Sequence, residues 1–546
     1  MVKNLFTLLT SRQTSILSGA AIIMATVILA KVLGLIRDRL LVHIFPPDVV
    51  AIFLAAFGLP DFIFQIFIFG ALSVAFIPVF TEYLEGKGKK EAFELATSVL
   101  NLSLVVLVLL SILVFVLADP LIGFLIVPGF GPEQKQQVVS LTRIILLGQI
   151  LLAIGSLFIG ILQSFQRFII PALAGVFYNI GIIIGIVVLS GPFSIMGPAI
   201  GVIIGAFLHV AIQLPLINSL GFKPNIFRDI IHPGVKEIVR LMSIRSIGLA
   251  AEQINERVAI ALASLISTSS VTYLTFAQHL QLVPISLFGA TIAQAALPVL
   301  SLERARGRID EFKATLLTTM HQILFLALPA AAILIVLRIP AVRLIFGASQ
   351  FDWEATVLTG KTLAWLSVGL AAQAVSLLLV RGFYALKDTK TPVLISLIVV
   401  AVNIILSFYF VRVLGFEVWG LGLAFSLTSI LSAVLLFIWL HFKVDKFNFR
   451  FVFGPLLKML MATVIMGVAL YVPVKLLDAV IFDTTKTVNL LVLTGLASVF
   501  ALSVYMFLVW FMEVKELYTY VELIKRLGRF QSLIKSKEIV HEPESV

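Results

Sequence analysis

Cysteine is absent from this 546-residue chain, and charged side chains are scarce, at 13% of the residues. The lack of cysteine excludes disulfides, thiol nucleophiles and cysteine-ligated metals. A soluble protein carries about 25% charged and roughly 45–50% apolar residues. Here 60% of the residues are hydrophobic and the mean hydropathy is +1.11. The composition therefore excludes a soluble globular protein and predicts a membrane protein.

The sequence also lacks the motifs of an intramembrane enzyme. It has no H-E-x-x-H zinc motif and no close cluster of His, Asp and Glu. Gly360-Lys361-Thr362 matches the end of a P-loop, but Ala355 stands where the motif requires a glycine. We therefore expect no enzymatic activity, no catalytic residue, no bound metal and no cofactor. Any driving force would come from the membrane potential, Na⁺ or H⁺.

Apolar windows follow one another along the whole chain, and each bilayer crossing needs about 20 such residues. We predict fourteen helical spans, the first of them an uncleaved helix rather than a signal peptide. Most of the 40 lysines and arginines, including the cluster Lys87/Lys89/Lys90, fall on one side. Because basic loops stay in the cytoplasm, we place both termini there. The net charge of +11 then needs no nucleic-acid partner.

Two proline-containing motifs recur at nearly equal distances. GALSVAFIPVF and GATIAQAALPVL contain Pro78 and Pro298, and LQSFQRFIIP and FYALKDTKTP end at Pro171 and Pro392. The offsets of 220 and 221 residues predict that six spans were duplicated in the same orientation. Parallel repeats of this kind build transporters with a substrate site between the repeats. The predicted fold is an all-α polytopic membrane protein with two six-helix lobes and two further helices.

These patterns divide the chain into five predicted parts. They are an N-lobe at 1–219, a cytoplasmic connector at 220–235, a C-lobe at 236–443, two further helices at 444–512 and a cytoplasmic tail at 513–546. In the tail, Leu517, Tyr520 and Ile524 recur at helical spacing with Lys525 and Arg526 between them. This pattern predicts an amphipathic helix on the inner leaflet, with a solvated tail as the alternative.

Charged residues follow the first apolar window, in VLGLIRDRLLVHIF. A charge inside a span costs roughly 2.5–3.5 kcal/mol, so it usually faces a polar cavity or a partner. We interpret Lys31 and Arg37 as cavity residues, with Asp38 orienting Arg37 or gating the outer side. A guanidinium fork suits a phosphate because it can donate two hydrogen bonds. Arg39 and His43 are more simply explained as residues at a helix end near the membrane surface.

Predicted span seven carries a second group of charges, Glu252, Glu256 and Arg257. Glu252 and Glu256 are four residues apart and share one helix face. The repeat offset aligns Arg257 with Arg37, so both lobes begin with a polar-faced helix. We expect these side chains to line the cavity, the two acids acting in gating or ion coupling. Snorkelling at helix ends together with local ion pairs is the alternative for both groups of charges.

Several stretches resemble the lipid II flippase family (MurJ, also called MviN) of the multidrug/oligosaccharidyl-lipid/polysaccharide exporter superfamily. They include KVLGLIRD at 31–38, FGLPDF at 57–62, LQSFQRFIIPALAGVFYN at 162–179 and RGFYALKDTKTP at 381–392. The resemblance implies a fourteen-span flippase of the bacterial inner membrane, in peptidoglycan synthesis, acting as a monomer. Its substrate would be lipid II, an undecaprenyl-pyrophosphate-linked precursor. The headgroup would enter a cationic cavity from the cytoplasm and leave outside after the lobes rock.

The resemblance also implies roles for individual residues. Arg37 and Asp38 match charged positions of the family, while Lys31 and His279 stand where arginines are usual. The predicted substrate-binding residues are Lys31, Arg37, Asp38, Gln65, Arg257 and His279. Asn403 in span eleven is retained from the family's cation site and joins the predicted ion-coupling set.

The chain departs from the family in span two. The pattern Arg-x-x-x-x-Glu-Gly is replaced by Phe64 to Phe69 ahead of Gly70, so both charges are lost. Ala51 and Ala259 also stand where the family has acids. The cavity is therefore rewired for lipid II or serves another polyprenyl-linked glycan. A third hypothesis is a cation-coupled exporter of small molecules, which Glu252 and Glu256 would allow.

Overall fold

The computed structural model describes residues 16–66, 75–225, 232–347, 349–480 and 486–522. These residues form helices joined by turns and short loops, without a strand. This confirms the predicted all-α class. The helices are α1 Ile16–Ile44, α2 Pro47–Ala56, α3 Gly58–Phe64, α4 Ile77–Gly86, α5 Lys89–Leu121, α6 Pro132–Ser164, α7 Ile169–Ile184, α8 Ser190–Phe193, α9 Met196–Ala211, α10 Leu214–Ser219, α11 Pro233–Ser264, α12 Thr268–Pro284, α13 Thr291–Ala305, α14 Ile309–Val336, α15 Arg338–Phe346, α16 Trp353–Val368, α17 Leu370–Ala385, α18 Lys390–Phe408, α19 Trp419–Lys443, α20 Phe449–Val480 and α21 Thr487–Phe511. Four π-helical segments extend or join them, at Ile122–Ile126, Gly185–Leu189, Ile285–Ala290 and Tyr409–Val413.

Within the described residues, 11 helical stretches are long and apolar enough to cross a bilayer, or 12 if the bent pair α16–α17 is one span. The protein is therefore a multi-pass membrane protein. Helices α1 and α11, of 29 and 32 residues, cover the first and seventh predicted spans and are not in that count. The exact number of fourteen spans stays a prediction.

The order of the helices follows the repeat expected from the proline motifs. Helices α5, α6, α7 and α9 begin 220 to 223 residues before α14, α16, α18 and α19, respectively. A duplication in the same orientation would produce this order. The duplication itself and the boundaries of the two lobes stay predictions.

The chain divides into two compact units. Unit 1 consists of Met1–Val283, Arg338–Ala372 and Lys387–Leu436. Unit 2 consists of Pro284–Leu337, Gln373–Leu386 and Phe437–Val546. The side chains predicted to bind substrate belong to unit 1.

The second predicted span contains a one-residue break between two helices. Helix α2 ends at Ala56, and α3 begins at Gly58. Pro60 has no backbone N–H to donate to the carbonyl group four residues earlier. Thr142 of α6 donates its hydroxyl to that Ala56 carbonyl over 3.0 Å, so the acceptor is satisfied. The interruption has a physical cause in Pro60 and is stabilised by a neighbouring helix.

Helices α7 and α9 approach each other closely along a row of glycines. A Cβ atom on Gly181 would lie 2.2 Å from the Cα atom of Gly205, and one on Gly185 would lie 2.4 Å from that of Gly201. Small residues allow such contact between membrane helices, and backbone proximity then replaces side-chain packing. These glycines therefore serve close packing of the two helices.

In unit 2, the residues after the last long helix pack against α14. The carboxylate of Glu516 lies 3.5 Å from Nδ1 of His321, and both side chains are under 10% exposed. The ring of Tyr520 stacks on Phe325, with 5.3 Å between the ring centroids. The described part of the predicted amphipathic tail therefore contacts the protein itself. The remainder, from residue 523 on, lies outside the described residues.

This contact predicts an acid-sensitive step in unfolding. Burial favours a higher pKa for Glu516, but the hydrogen bond with His321 holds the pKa below its ordinary value of 4.5. A carboxyl group with a lowered pKa stabilises the folded state above its unfolded pKa and loses that contribution as the pH falls. Below pH 4.5, the melting temperature should therefore fall more steeply in the wild type than in Glu516→Gln. Identical acid profiles would show that the pair contributes nothing.

Candidate functional site

Unit 1 contains a cavity of about 210 Å³ beside α1. Its polar lining consists of Lys31, Arg37, Asp38, Asn179 and His279. These side chains come from three helices, α1, α7 and α12. Four of the nine side chains assigned to a site from the sequence therefore meet around one space.

Asp38 is the centre of this group. Its side chain is 1% exposed, and one carboxylate oxygen accepts hydrogen bonds from Nε and Nη2 of Arg37 over 3.0 and 2.7 Å. The other oxygen lies 2.6 Å from Nδ1 of His279. Arg37 and His279 are 19% and 32% exposed. Asp38 thus fixes both side chains from the buried side and leaves their outer edges open to the cavity.

The cavity has an excess of positive charge. Arg37 donates a further hydrogen bond from Nη1 to the side-chain oxygen of Asn179, over 3.4 Å. Lys31 lies in the same wall, close enough for electrostatic repulsion from Arg37. The side chains of a lysine, an arginine and a histidine thus lie beside a single carboxylate in the cavity lining. An anionic ligand would relieve the repulsion and accept hydrogen bonds from all three donors.

The spacing of the residues in α1 explains how they reach the cavity. Positions three, four and seven residues apart share one helix face, which places Lys31, Gly34 and Asp38 in line. A Cβ atom on Gly34 would lie 3.9 Å from the side-chain oxygen of Asn179. Gly34 therefore lies beside Asn179 in the cavity wall, and an added Cβ would make only an ordinary van der Waals contact there.

The size of the cavity limits what it can hold. Pockets that enclose a drug-sized ligand measure roughly 300–1,000 Å³. A space of about 210 Å³ is smaller and matches a phosphate-sized anionic group rather than a complete glycopeptide headgroup. The cavity is therefore an anchor for charge and would hold only part of a large substrate.

Arg39 and His43 have other partners. Arg39 donates from Nη1 to the carbonyl oxygens of Leu344 and Ile345, over 2.7 and 3.1 Å. These are the last carbonyl groups of α15, where a cation also interacts favourably with the helix dipole. The hydroxyl of Ser349 donates to the backbone oxygen of His43 over 2.9 Å. Neither side chain lines the cavity, in agreement with the interpretation from the sequence.

Among the residues that the structure describes, the charged side chains of span seven do not line the cavity. Arg257 pairs with Glu256 over 3.2 Å and contacts the Gln253 oxygen at 3.5 Å. Glu252 and Glu256 are exposed side chains of α11. Gln65, at the end of α3, is also absent from the cavity lining. Their predicted roles in binding, gating and ion coupling stay predictions.

Asn403 lies in a buried hydrogen-bond network between α18 and α19. Its amide donates to the hydroxyl of Thr428 over 2.8 Å, and its oxygen accepts from Ser407 over 3.0 Å. The network satisfies these buried polar atoms and joins the two helices. The ion-coupling role predicted for Asn403 stays a prediction.

Asp61, an acid in the second predicted span, is a polar residue of this region that was not predicted from the sequence. Its Oδ1 atom accepts a hydrogen bond from Nε2 of Gln149 over 2.8 Å, and its charge interacts with those of Arg257 and Arg37. Ala51 is fully buried and carries no charge, so the acid of this span lies ten residues further along. The cost of burying a charge, applied to FGLPDF, would have found it.

Asn179 and the two phenylalanines of span two are further residues whose positions bear on the site. Asn179 was also missed, because a lone amide in an apolar helix gives no signal in the sequence. Phe64 is partly buried against the apolar core of unit 1, whereas Phe69 lies outside the described residues. Among the described residues, no group of three or more His, Asp or Glu side chains could hold a metal ion.

Comparison with known proteins extends these observations. The family described as "Lipid II flippase MurJ" matches residues 44–489. The lipid II flippase MurJ of Burkholderia cenocepacia is 26% identical over 76% of this chain and 81% of its own. A protein of Bdellovibrio bacteriovorus, named "Probable lipid II flippase MurJ", is 28% identical over 78% of this chain and 82% of its own.

Solved structures agree with the sequence relatives. The structure described as "Lipid II flippase MurJ, inward closed conformation" matches with a TM-score of 0.74 and 25% identity, over 92% of this chain and 99% of that one. An inward-facing multidrug MATE transporter matches with a TM-score of 0.65 and 16% identity, over 78% and 98%, which shows the shared fold alone. Since the family match covers most of the sequence, the chain belongs to the lipid II flippase MurJ family.

Proposed function

We propose that the protein is a flippase that moves lipid II from the inner to the outer leaflet of the bacterial cytoplasmic membrane. Its family membership indicates the substrate class. The observation that carries the proposal is the cationic cavity, where Lys31, Arg37 and His279 surround the buried Asp38. A pyrophosphate group has the charge and size that this cavity favours.

In this mechanism, the cavity binds the pyrophosphate and leaves the sugar and peptide outside it. Arg37 and Lys31 neutralise the phosphate oxygens, and Asp38 keeps the guanidinium group of Arg37 oriented. Alternating access then exposes the headgroup on the outer side while the lipid tail stays in the bilayer. No covalent bond changes, so the protein acts as a transporter and not as an enzyme.

The arrangement in the membrane completes the proposal. Both termini lie in the cytoplasm, because basic loops are retained on that side. The protein works as a monomer, with lipid II and membrane lipids as its partners and without nucleic acid. Transport is driven by the membrane potential or by coupling to Na⁺ or H⁺.

A second candidate substrate is another polyprenyl-linked glycan. Phe64 replaces an arginine of the family pattern, so fewer fixed cations are available in span two. A substrate with one phosphate would need less positive charge than a pyrophosphate. A cation-coupled exporter of organic cations fits less well, because the cavity itself is cationic.

Native mass spectrometry tests the proposal directly. The purified protein is mixed with lipid II, with an undecaprenyl-monophosphate-linked glycan and with a neutral lipid. Lipid II should bind preferentially, and Arg37→Ala should weaken its binding about 10- to 100-fold, since a hydrogen bond to a charged group contributes about 1.5–3 kcal/mol. Arg39→Ala is the matched control, because this arginine lies two positions away and binds the carbonyl groups of α15.

The outcomes separate the candidate functions. If Arg37→Ala and Arg39→Ala weakened lipid II binding equally, Arg37 would have no specific role in binding. Preferential binding of the monophosphate lipid would retain the flippase and change the substrate. Binding of none of the lipids would instead favour a small-molecule exporter.

A further inference from the structure

Asp61 forms a second polar cluster in unit 1, outside the lining of the cavity. It lies in α3, just after the interruption caused by Pro60, and its Oδ1 atom accepts a 2.8 Å hydrogen bond from Gln149 of α6. The Gln149 side chain is 1% exposed, and its Oε1 atom is buried without a hydrogen-bond partner. A buried amide with an unsatisfied oxygen thus adjoins a partly buried carboxylate.

The charges around Asp61 do not balance. Asp61 interacts electrostatically with Arg257, Glu256 and Arg37, and Tyr178 interacts electrostatically with both Asp61 and Arg37. Arg257 is already paired with Glu256 over 3.2 Å, and its Nε atom is buried without a partner. Two carboxylates therefore share one arginine on this side.

The second arginine that acts on Asp61, Arg37, is also already paired with another carboxylate. Arg37 directs Nε and Nη2 to Asp38, so the field it exerts at Asp61 is partly cancelled. A carboxylate in a low-dielectric site depends on nearby positive charge to stay ionised, and it takes up a proton when that charge is neutralised. The charge state of Asp61 consequently depends on what occupies the cavity beside Arg37.

We propose that Asp61 is a proton-binding site whose occupancy is coupled to the anion bound in the cavity. The proposal rests on the proposed function only in taking a lipid-linked phosphate as that anion. An anion bound beside Arg37 adds negative charge near Asp61. The Asp61 carboxylate then takes up a proton from the solvent. When the anion leaves, Arg37 and Arg257 again favour the carboxylate, and the proton returns to water.

A proton fits this site better than a metal cation does. Two guanidinium groups, of Arg257 and Arg37, act on Asp61 and would repel a bound Na⁺. Protonation removes the buried negative charge without adding a positive one. Gln149 can still donate its hydrogen bond to the neutral carboxyl group, so the local geometry persists through the cycle.

Isothermal titration calorimetry of the full-length protein measures this proton uptake. Lipid II and inorganic pyrophosphate are titrated separately at one pH, in two buffers that differ in ionisation enthalpy. The difference in apparent binding enthalpy gives the protons taken up for each ligand bound. His279→Arg serves as the parent protein, because it removes the imidazole group from the cavity lining and keeps a cationic side chain in its place.

The His279→Arg protein should take up a fraction of a proton for each ligand bound. When Asp61→Asn is added to it, the ligand should still bind, but the proton uptake should fall to zero. Asp119→Asn is the matched acid-to-amide control, since Asp119 pairs with Arg143 elsewhere in the unit; it should leave the proton uptake unchanged. Undiminished uptake with Asp61→Asn, or uptake replaced by a dependence on Na⁺, would overturn the proposal.

The two ligands separate this proposal from the proposed function. Proton uptake with pyrophosphate but no binding of lipid II would retain the Asp61 site and reject lipid II as the substrate. Binding of lipid II without proton uptake in the parent would retain the flippase and reject the site. If neither ligand binds, the cavity is not an anion site, and the Asp61 proposal is overturned with it.

Discussion

Asp38→Asn is expected to bind lipid II more tightly than the wild type and to transport almost none of it. The substitution keeps the shape of a buried side chain and removes the only carboxylate in the cavity lining. Two unit charges about 5 Å apart interact by roughly 3 kcal/mol at an effective dielectric constant near 20. Removing this repulsion should strengthen binding by about tenfold or more.

The loss of transport has a separate reason. In the wild type, a phosphate must compete with Asp38 for the guanidinium group of Arg37, which sits 2.7 Å from the carboxylate. That competition allows the ligand to leave. Without it, the headgroup should remain bound, and flipping into the outer leaflet should fall to background.

Binding is measured by native mass spectrometry, and transport by the accessibility of lipid II headgroups in proteoliposomes. Asn179→Ala is the control, because it removes a weaker contact of Arg37, at 3.4 Å, without changing the charge. It should reduce both quantities modestly and together. Weaker binding by Asp38→Asn would mean that orienting Arg37 matters more than competing for it.

Gly181→Ala is expected to prevent stable folding of unit 1. The added methyl group would lie 2.2 Å from the backbone of Gly205, a distance that no side-chain rotation relieves. Helices α7 and α9 would have to separate along the row that also joins Gly185 to Gly201. Overpacking of this kind costs typically 1–3 kcal/mol and more where backbone must move, so we expect the upper end of that range or beyond.

Gly175→Ala, on the same helix, is expected to leave the stability of the protein unchanged or to increase it. A Cβ atom there would meet no atom within 4 Å. Alanine favours a helix by roughly 0.8–1 kcal/mol over glycine, so this variant should melt at the same or a higher temperature. Thermal melting of the purified variants compares the two substitutions. Equal effects would show that the glycine row does not set the spacing of α7 and α9.

The sequence predicted the broad architecture because it depends on composition and local spacing. Long apolar windows identify membrane helices, and the recurring proline motifs predicted the order in which those helices repeat. Lys31, Arg37 and His279 were also assigned to one site, and the structure places them around the same cavity. The orienting contact of Asp38 with Arg37 followed from their adjacency in the chain.

Other features depend on which helices meet, and a single sequence does not contain that information. Periodicity places Glu252 and Glu256 on one face of α11 but does not tell what that face contacts. The structure leaves both exposed and pairs Arg257 with its neighbour Glu256. Asn179 and Gln149 became significant only through contacts with residues more than 80 positions away.

The packing of residues 514–522 against α14 has a practical consequence for handling the protein. This segment covers His321 and stacks Tyr520 on Phe325, so it belongs to the folded body of unit 2. Trimming the chain at Phe511 to improve expression would strip away that cover and expose an ionisable ring to detergent. A cleavable affinity tag would be safer beyond residue 522, where its removal leaves these contacts in place.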